Sequence, residues 1–496
     1  MQRRLPNAFY NPITLVGLVI AVFNTAFIVF LLVVEAFSSR AYPYADIVIW
    51  MILPALIFLG VVLIVVGIRR ERRKQREGQA ADRRLPVIDF NNPTHRTTMV
   101  VLASGFLLLS LLYAFAGYKA VEFAESTTFC GTMCHRSMGP EFRAHSSSAH
   151  AEVACADCHV GPGAKYFILT KLRGTRELIN EVLDRYHKPI PTPIANLRPS
   201  EAVCENCHGP KLQINQRLES RTYYLSDEKN TRKTINLLLR MGAIDPAAKR
   251  PSKIHWHSST TQEIEYAASD EKRAVIPWIR VKRLDGKERV YRAAGSEMTD
   301  AQAAASGLRR MDCIDCHNRA GHPFNPSGVI VNSLMTLKLV DPDLPGIKQA
   351  AVQALDAEYQ SRENGVKGIA SSIKDFYKTN PAVSSGKDTS INAAIEALQR
   401  LYARNYDPNM KVSWRNFPDN RGHRTSAGCF RCHDDKHRSA DGAVLSRDCG
   451  LCHLLIERVG DAGAKADPVT FDVMKYPHPV NIGDAWKDSQ CHDCHG

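Results

Sequence analysis

Every one of the 14 cysteines in this 496-residue chain falls in a pair that is followed at once by histidine. The pairs are Cys130/Cys134 before His135, Cys155/Cys158 before His159, Cys204/Cys207 before His208 and Cys313/Cys316 before His317. Cys429/Cys432 before His433, Cys449/Cys452 before His453 and Cys491/Cys494 before His495 complete the set. Six have the spacing C-x-x-C-H, and the first, in FCGTMCHRSMGPEF, carries one extra residue. In C-x-x-C-H the two thiols form thioethers with the haem vinyl groups and the histidine takes the iron from one side. Zinc sites use C-x-x-C pairs two to a metal and do not require histidine after every second cysteine. The pattern therefore points to seven c-type haems, the longer first spacer reaching both vinyls by bulging.

Three apolar runs precede the motifs, at about 13–37, 45–68 and 98–118. Each is long enough to cross a hydrocarbon core of about 30 Å. The first is too long for a signal peptide and lacks a clear small-residue cleavage site. Arg3 and Arg4 precede it, and RRERRKQREGQAADRR follows the second run, whereas the loop between the first two carries only Arg40. Basic residues stay inside, so the N-terminus and loop 69–97 are expected in the cytoplasm and the haem region outside, in a compartment that permits its cysteine chemistry. The net charge of +13 is assigned to topology and anionic lipid rather than nucleic acid. About fourteen haem propionates would roughly offset it.

The expected fold is mainly α and irregular: three N-terminal transmembrane helices, then a periplasmic multihaem cytochrome c region with a small β-hairpin insertion. The domains expected are a membrane anchor (1–122), a four-haem region (123–325) with an insertion at 209–312, a helical linker region (326–425) and a three-haem region (426–496). Within the insertion, IPWIRVKRLDGKERVYRAA alternates around Asp285-Gly286 and predicts a hairpin. LPGIKQAAVQALDAEYQ and INAAIEALQRLYARNY have helical apolar spacing.

Of 18 histidines, seven lie in motifs and eleven do not. His95 falls on the cytoplasmic side. Ten remain for at most seven distal positions, so double-histidine ligation is affordable throughout, which favours electron transfer over substrate chemistry. The distal candidates near motifs are His150, His187, His322, His423, His437 and His478. His322 follows His317 too closely for both to grip one iron, so it is expected to serve a neighbouring haem. His145, His255, His257 and His492 are reserves without a ranking.

Residues 98–325 resemble the NapC/NirT family of membrane-anchored multihaem quinol dehydrogenases. The resemblance rests on a membrane helix running into FCGTMCHRSMGPEF, then on SSAHAEVACADCHVGPGA, CENCHGP and CIDCHNRAGHPF. The extra helices and terminal motifs make the whole layout similar to the seven-haem inner-membrane cytochromes of metal-respiring bacteria. The resemblance implies a bacterial inner-membrane protein that takes electrons from quinol (menaquinol or ubiquinol) at its first haem. It would pass them from the quinone pool to periplasmic cytochromes or reductases, with no nucleic acid involved. It also implies that a methionine just after the first motif ligates that haem. Met138 is the matching residue, displaced by one position, and His135 is the alternative ligand. Lys171 and Glu177 match the family's quinol-site lysine and acid. Three alternatives remain open: a redox subunit without its own quinol site, electron flow back into the quinone pool, and a haem-based oxyanion reductase. The last fits poorly with plentiful histidine and no C-x-x-C-K.

Overall fold

Helices α1 (Pro12–Phe37), α2 (Leu53–Arg76) and α3 (Pro93–Glu125) carry the three apolar runs. All three are long and apolar enough to cross a membrane. Pro93 opens α3 where a missing N–H costs nothing, and Asn92 caps it by accepting from the Thr94 N–H at 2.9 Å. Arg73, Lys74 and Arg76 close α2, complementing the negative end of its dipole. In this computed structural model the residues described are 11–37, 49, 52–77, 89–134, 136–160, 174, 176–177, 179–193, 198–200, 203–208, 216–242, 244–245, 250–251, 253–258, 262–283, 285–379, 385–459, 482–485, 489, 491 and 493.

The chain divides into two units. The first, Met1–Cys134 with Ala154–Ile179, contains the membrane helices and the turns of the first two motifs. Glycine lets α1 and α2 approach closely. A Cβ at Gly17 would stand 2.6 Å from the Gly60 carbonyl oxygen, and one at Gly60 would stand 2.8 Å from that of Gly17. Small residues are how helices associate where lipid is as apolar as any side chain. Helix α3 meets α1 through rings, with Phe23 against Phe106 at 5.6 Å and Phe27 against Tyr113 at 5.4 Å. It runs past 118 to Glu125, so only Ser126–Thr128 separate it from the first motif.

The second unit is His135–Val153 with Asn180–Gly496. Its largest core lies in the motif-free linker, where α4 (Ser327–Thr336), α5 (Ile347–Asp356), α6 (Arg362–Lys378) and α7 (Asp388–Asn405) bury Val331, Ile347, Ile369, Ile373 and Leu398. Ala144 of the short helix Gly139–His145 joins this cluster, and Arg143 of the same helix pairs with Asp407 at 2.6 Å. The helices are thus a scaffold for a histidine-bearing segment as well as a connection. Two of them, α5 and α7, fall on the stretches that the apolar spacing predicted.

Besides a two-stranded ribbon at Ile244–Asp245 and Arg250–Pro251, two larger antiparallel sheets complete this unit. One runs β1 (Arg217–Tyr224), β2 (Arg232–Leu239), β8 (His453–Val459). The other has the order β6 (Arg309–Arg310), β3 (Gln262–Ala267), β4 (Trp278–Arg283), β5 (Glu288–Arg292), β7 (Arg438–Ser439). The expected hairpin is β4–β5. Its turn needs Gly286 at φ +78°, a left-handed conformation that glycine adopts without strain. The hairpin does not stand alone as a small insertion: it is the middle of a five-stranded sheet packed over Ile264, Tyr266, Ile279, Val281 and Tyr291. The edges β6 and β7 are two residues each, too short to show a period of two.

Candidate haem-binding sites

Three of the regular motifs close alike for a simple reason. A backbone bond from the histidine N–H back to the first cysteine carbonyl closes one helical turn: His208 to Cys204 at 2.8 Å, His317 to Cys313 at 2.8 Å, His433 to Cys429 at 3.0 Å. Residues three and four apart on such a turn share a face, so both thiols and the imidazole can address one ligand. Short polar side chains fix the turns from the N-terminal side. Asp312 accepts from the Ile314 N–H at 3.1 Å and Asp448 from the Gly450 N–H at 2.8 Å. The first motif differs: Phe129–Cys134 is a π-helical turn. Its i→i+5 bonding is wider than an α turn, as one more residue between the cysteines requires.

Sulfurs of several successive motifs lie within hydrogen-bonding or electrostatic reach of one another. In the first unit the Cys130 thiol hydrogen-bonds Cys155 and holds that thiol down at about 7. In the second, the Cys452 thiol donates to Cys429, which lies at about 7. Burial, then the charge of Cys429, pushes Cys316 up to about 12. Burial likewise pushes Cys432 up to about 12, with Cys316 among its neighbours. Cys449 has Cys491 within electrostatic reach. These contacts put motifs four and five, five and six, and six and seven side by side.

The second cysteines of motifs two and three differ from this picture. Cys158 is half-buried on the turn Cys155–His159, and its charge acts on Cys155 of its own motif. Cys207 is exposed on the turn Glu205–His208, its N–H bonded to Cys204 O at 3.2 Å. Cys207 is open to solvent, as Cys449 of motif six is, and its neighbours on the turn, Asn206 and His208, are exposed as well. A porphyrin bonded at Cys204 and Cys207 would itself be the apolar surface on that face. Among the described residues no cysteine is in a disulfide, which leaves the thiols available for thioether bonds.

The imidazoles pair. His150 faces His208 with ring centres 5.9 Å apart, His257 faces His433 at 5.8 Å, and His423 faces His453 at 6.2 Å. Two imidazoles on opposite faces of one iron, each bonded at about 2 Å, hold their ring centres roughly 6 Å apart. Each of these pairs joins a motif histidine to one from elsewhere. A fourth pair, His145 and His322 at 5.9 Å, joins two histidines outside the motifs. Backbone carbonyls take one nitrogen of several rings: Nδ1 of His150 meets Ala320 O at 3.0 Å, His257 meets Ile254 O at 2.7 Å, His322 meets Glu141 O at 3.0 Å and His433 meets Ser446 O at 3.0 Å. A carbonyl only accepts, so Nδ1 carries the proton and Nε2 keeps its lone pair, the usual arrangement of a metal-ligating histidine. His423 and His453 leave a buried Nδ1 without a partner. Burial lowers the pKa of His257, His433 and His453, and that of His423 to about 4. Neutral imidazoles with a spare lone pair, spaced to hold an iron between them, fit haem.

His437 differs. Its Nδ1 bonds Asp434 Oδ1 at 2.9 Å and its Nε2 bonds Ile276 O at 2.7 Å. Both partners are acceptors, so both nitrogens donate and no lone pair is left for iron. Its nearness to motif five in sequence reflects a structural ion pair. His187 stands exposed on its own segment, and Glu177 is exposed at the end of the first unit. Met138 closes the 3-10 turn Arg136–Met138 and is half-buried. His135, Lys171, His478, His492, Cys494 and His495 lie outside the described residues. The histidines that nearness to motifs did not single out are His145, His255 and His257. Only the fold marks them: His257 approaches His433, remote in sequence, and His145 approaches His322. Among the described residues no three His, Cys, Asp or Glu side chains gather as they would around a bare metal ion.

Membrane-crossing helices joined to a succession of Cys-Cys-His turns with paired imidazoles define a membrane multihaem c-type cytochrome. Residues 92–190 match the NapC/NirT cytochrome c family, N-terminal region. The chain is also 36% identical to the cytochrome c-type protein ImcH of Geobacter sulfurreducens over 495 residues, 99% of this chain and 96% of that one. It belongs to this family of membrane electron-transfer cytochromes, whose haem is covalently bound. No solved structure matches it.

Proposed function

We propose that the protein oxidises quinol at the bacterial inner membrane and passes the electrons outward, through seven c-type haems, to periplasmic cytochromes or reductases. The observation that carries this reading is the continuity of α3 with the first motif. A membrane-crossing helix ends at Glu125, the first cysteine follows at 130, and that cysteine bonds Cys155 of the second motif within the same unit. A donor dissolved in the membrane would thus meet the first haem where the chain leaves the lipid. The bound haems supply one-electron exchange between ferrous and ferric iron.

The chain does the rest. Both cysteines of every motif bond haem vinyls, half-buried Cys158 and exposed Cys207 included. The motif histidines His159, His208, His317, His433, His453 and His495 each hold an iron from one side, and Met138, or His135 in its place, holds the first. His150 and His423 complete the irons of His208 and His453, as their 5.9 and 6.2 Å ring separations support. His187, His322 and His478 remain ligand candidates, and His437 leaves the set for the reason given above. Double-histidine ligation closes both axial positions, which suits a conductor and disfavours a reductase that must bind substrate. Quinol gives up two protons with its two electrons, so a base must stand near the first haem. Lys171 orients the quinol oxygen and Glu177 accepts a proton. The basic residues of loop 69–97 hold that loop in the cytoplasm and the haem region outside.

The test is the double change Lys171→Gln with Glu177→Gln in the full chain. Quinol-driven haem reduction is expected to fall by about a hundredfold or more, the scale of a lost general base, with dithionite reduction unchanged. Reduction by quinol at the wild-type rate would remove both residues from the site.

A further inference from the structure

The insertion between motifs three and four carries no cysteine, yet the 3-10 turn Lys253–Ser258 within it, KIHWHS, has histidines on either side of a tryptophan. We propose that His255 and His257 are the distal iron ligands of the haems attached at Cys313/Cys316 and Cys429/Cys432, so that one turn of the insertion clamps two successive haems. The inference deepens the proposed electron wire and rests on haem attachment at those two motifs, not on quinol as donor.

His257 is the firmer half. Its ring centre lies 5.8 Å from that of His433, the motif-five histidine, and each ring gives its Nδ1 to a backbone carbonyl, Ile254 O at 2.7 Å and Ser446 O at 3.0 Å. Both Nε2 atoms are left for one iron between them. His255 has the same logic with the nitrogens exchanged: the backbone of Gly242 bonds its ring, and its buried Nδ1 has no partner. A buried polar atom without a partner calls for a missing group. His317, the motif-four histidine, lies within electrostatic reach of His255, behind the larger effects of burial and Arg421.

The scaffold makes both contacts possible at once. Trp256, between the two histidines, packs against the apolar core of the five-stranded sheet, and Cys432 of motif five packs against the same core. Cys316 of motif four lies within reach of Cys429 and Cys432. The two haems are therefore neighbours, and histidines two positions apart are placed to serve them both. His437, the nearest alternative in sequence for motif five, spends both nitrogens on Asp434 and Ile276.

The experiment uses the purified full-length protein with its haems attached. Total haem per chain is measured first by pyridine haemochrome, then spin state by EPR and carbon monoxide uptake by the reduced protein. His257→Ala is expected to keep its haem content, turn one haem high-spin and add one carbon monoxide site over wild type. His255→Ala is expected to do the same for a second haem, and the double variant to do both. If an alanine variant fails to accumulate, His257→Met and His255→Met retain a sixth ligand, and each is expected to raise one midpoint potential. Alanine variants with full haem content and wild-type spin state and carbon monoxide uptake would overturn the proposal, as would methionine variants with unshifted potentials. Low haem content in the wild-type protein would instead count against attachment at these motifs, which is a failure of the wire and not of the clamp.

Discussion

A histidine beside a haem motif is a ligand only if one ring nitrogen keeps its lone pair, and hydrogen bonds decide that. His423 and His453 lie nearly parallel, at 21°, whereas His257 and His433 are crossed at 84°. Crossed and parallel imidazole planes give ferric haem distinct low-spin EPR signals, so both types are expected in the oxidised protein; one type alone would contradict these ring pairs. His437, with its side chain 3% exposed, is a staple between Asp434 and the strand-side carbonyl of Ile276. Changing it to alanine removes both ring bonds and is expected to cost about 1–3 kcal/mol of stability while adding no carbon monoxide site. Lys348 is another buried charge: it is 5% exposed, donates to Gly328 O at 2.7 Å, and is brought down to about 7 by burial and then Arg424, from an ordinary 10.5. A lowered folded pKa means that the unfolded chain binds more protons between those values. Stability should therefore rise as pH climbs from about 7 toward 10.5 and be lost on the way back down. Lys348→Met is expected to melt higher at pH 7 and to flatten that slope. An unchanged slope would show the lysine to be solvated. The motif histidines were legible as candidate ligands because the attachment chemistry sets them next to cysteine in sequence. How far each cysteine is enclosed was not, since the exposure of Cys207 depends on what packs over its turn. The partner His257 was hidden too, and so was the ring that His150 faces, because both pairings join remote segments that only folding brings together.

Elements were legible where a period was long enough to see. The three membrane runs, the stretches that became α5 and α7, and the turn at Gly286 each carry their own signal. The flanking strands β6 and β7 owe their conformation to the β3–β5 core beside them, and α4 lies in a mostly apolar segment too short to distinguish buried strand from helix. The π turn at Phe129–Cys134 was written in the odd spacer, but its form needed the backbone. In the membrane pair, Gly60 is the sharpest test. Its added Cβ would meet Gly17 O at 2.8 Å and Ala21 N at 3.0 Å, both backbone atoms that cannot step aside. Gly60→Leu should force α1 from α2 and lower thermal stability in detergent by roughly 1–3 kcal/mol, whereas Gly105→Leu, with nothing within 4 Å, should not. Equal effects of the two would remove close packing as the cause.

At the scale of the whole molecule, a membrane anchor is joined to a chain of haem motifs whose sulfurs lie within hydrogen-bonding or electrostatic reach in sequence order from four to seven. Such an order suits conduction, because no haem in that stretch must be bypassed. It does not by itself name the donor, and donor identity is the centre of the account. The most direct measurement is to reconstitute the oxidised protein in liposomes without oxygen, add a menaquinol analogue and follow the haem absorption bands. Rapid partial reduction, slowed by Glu177→Gln, is the expected result. No reduction by the quinol, with dithionite still reducing every haem, would contradict quinol oxidation and leave an intact wire fed by another membrane protein.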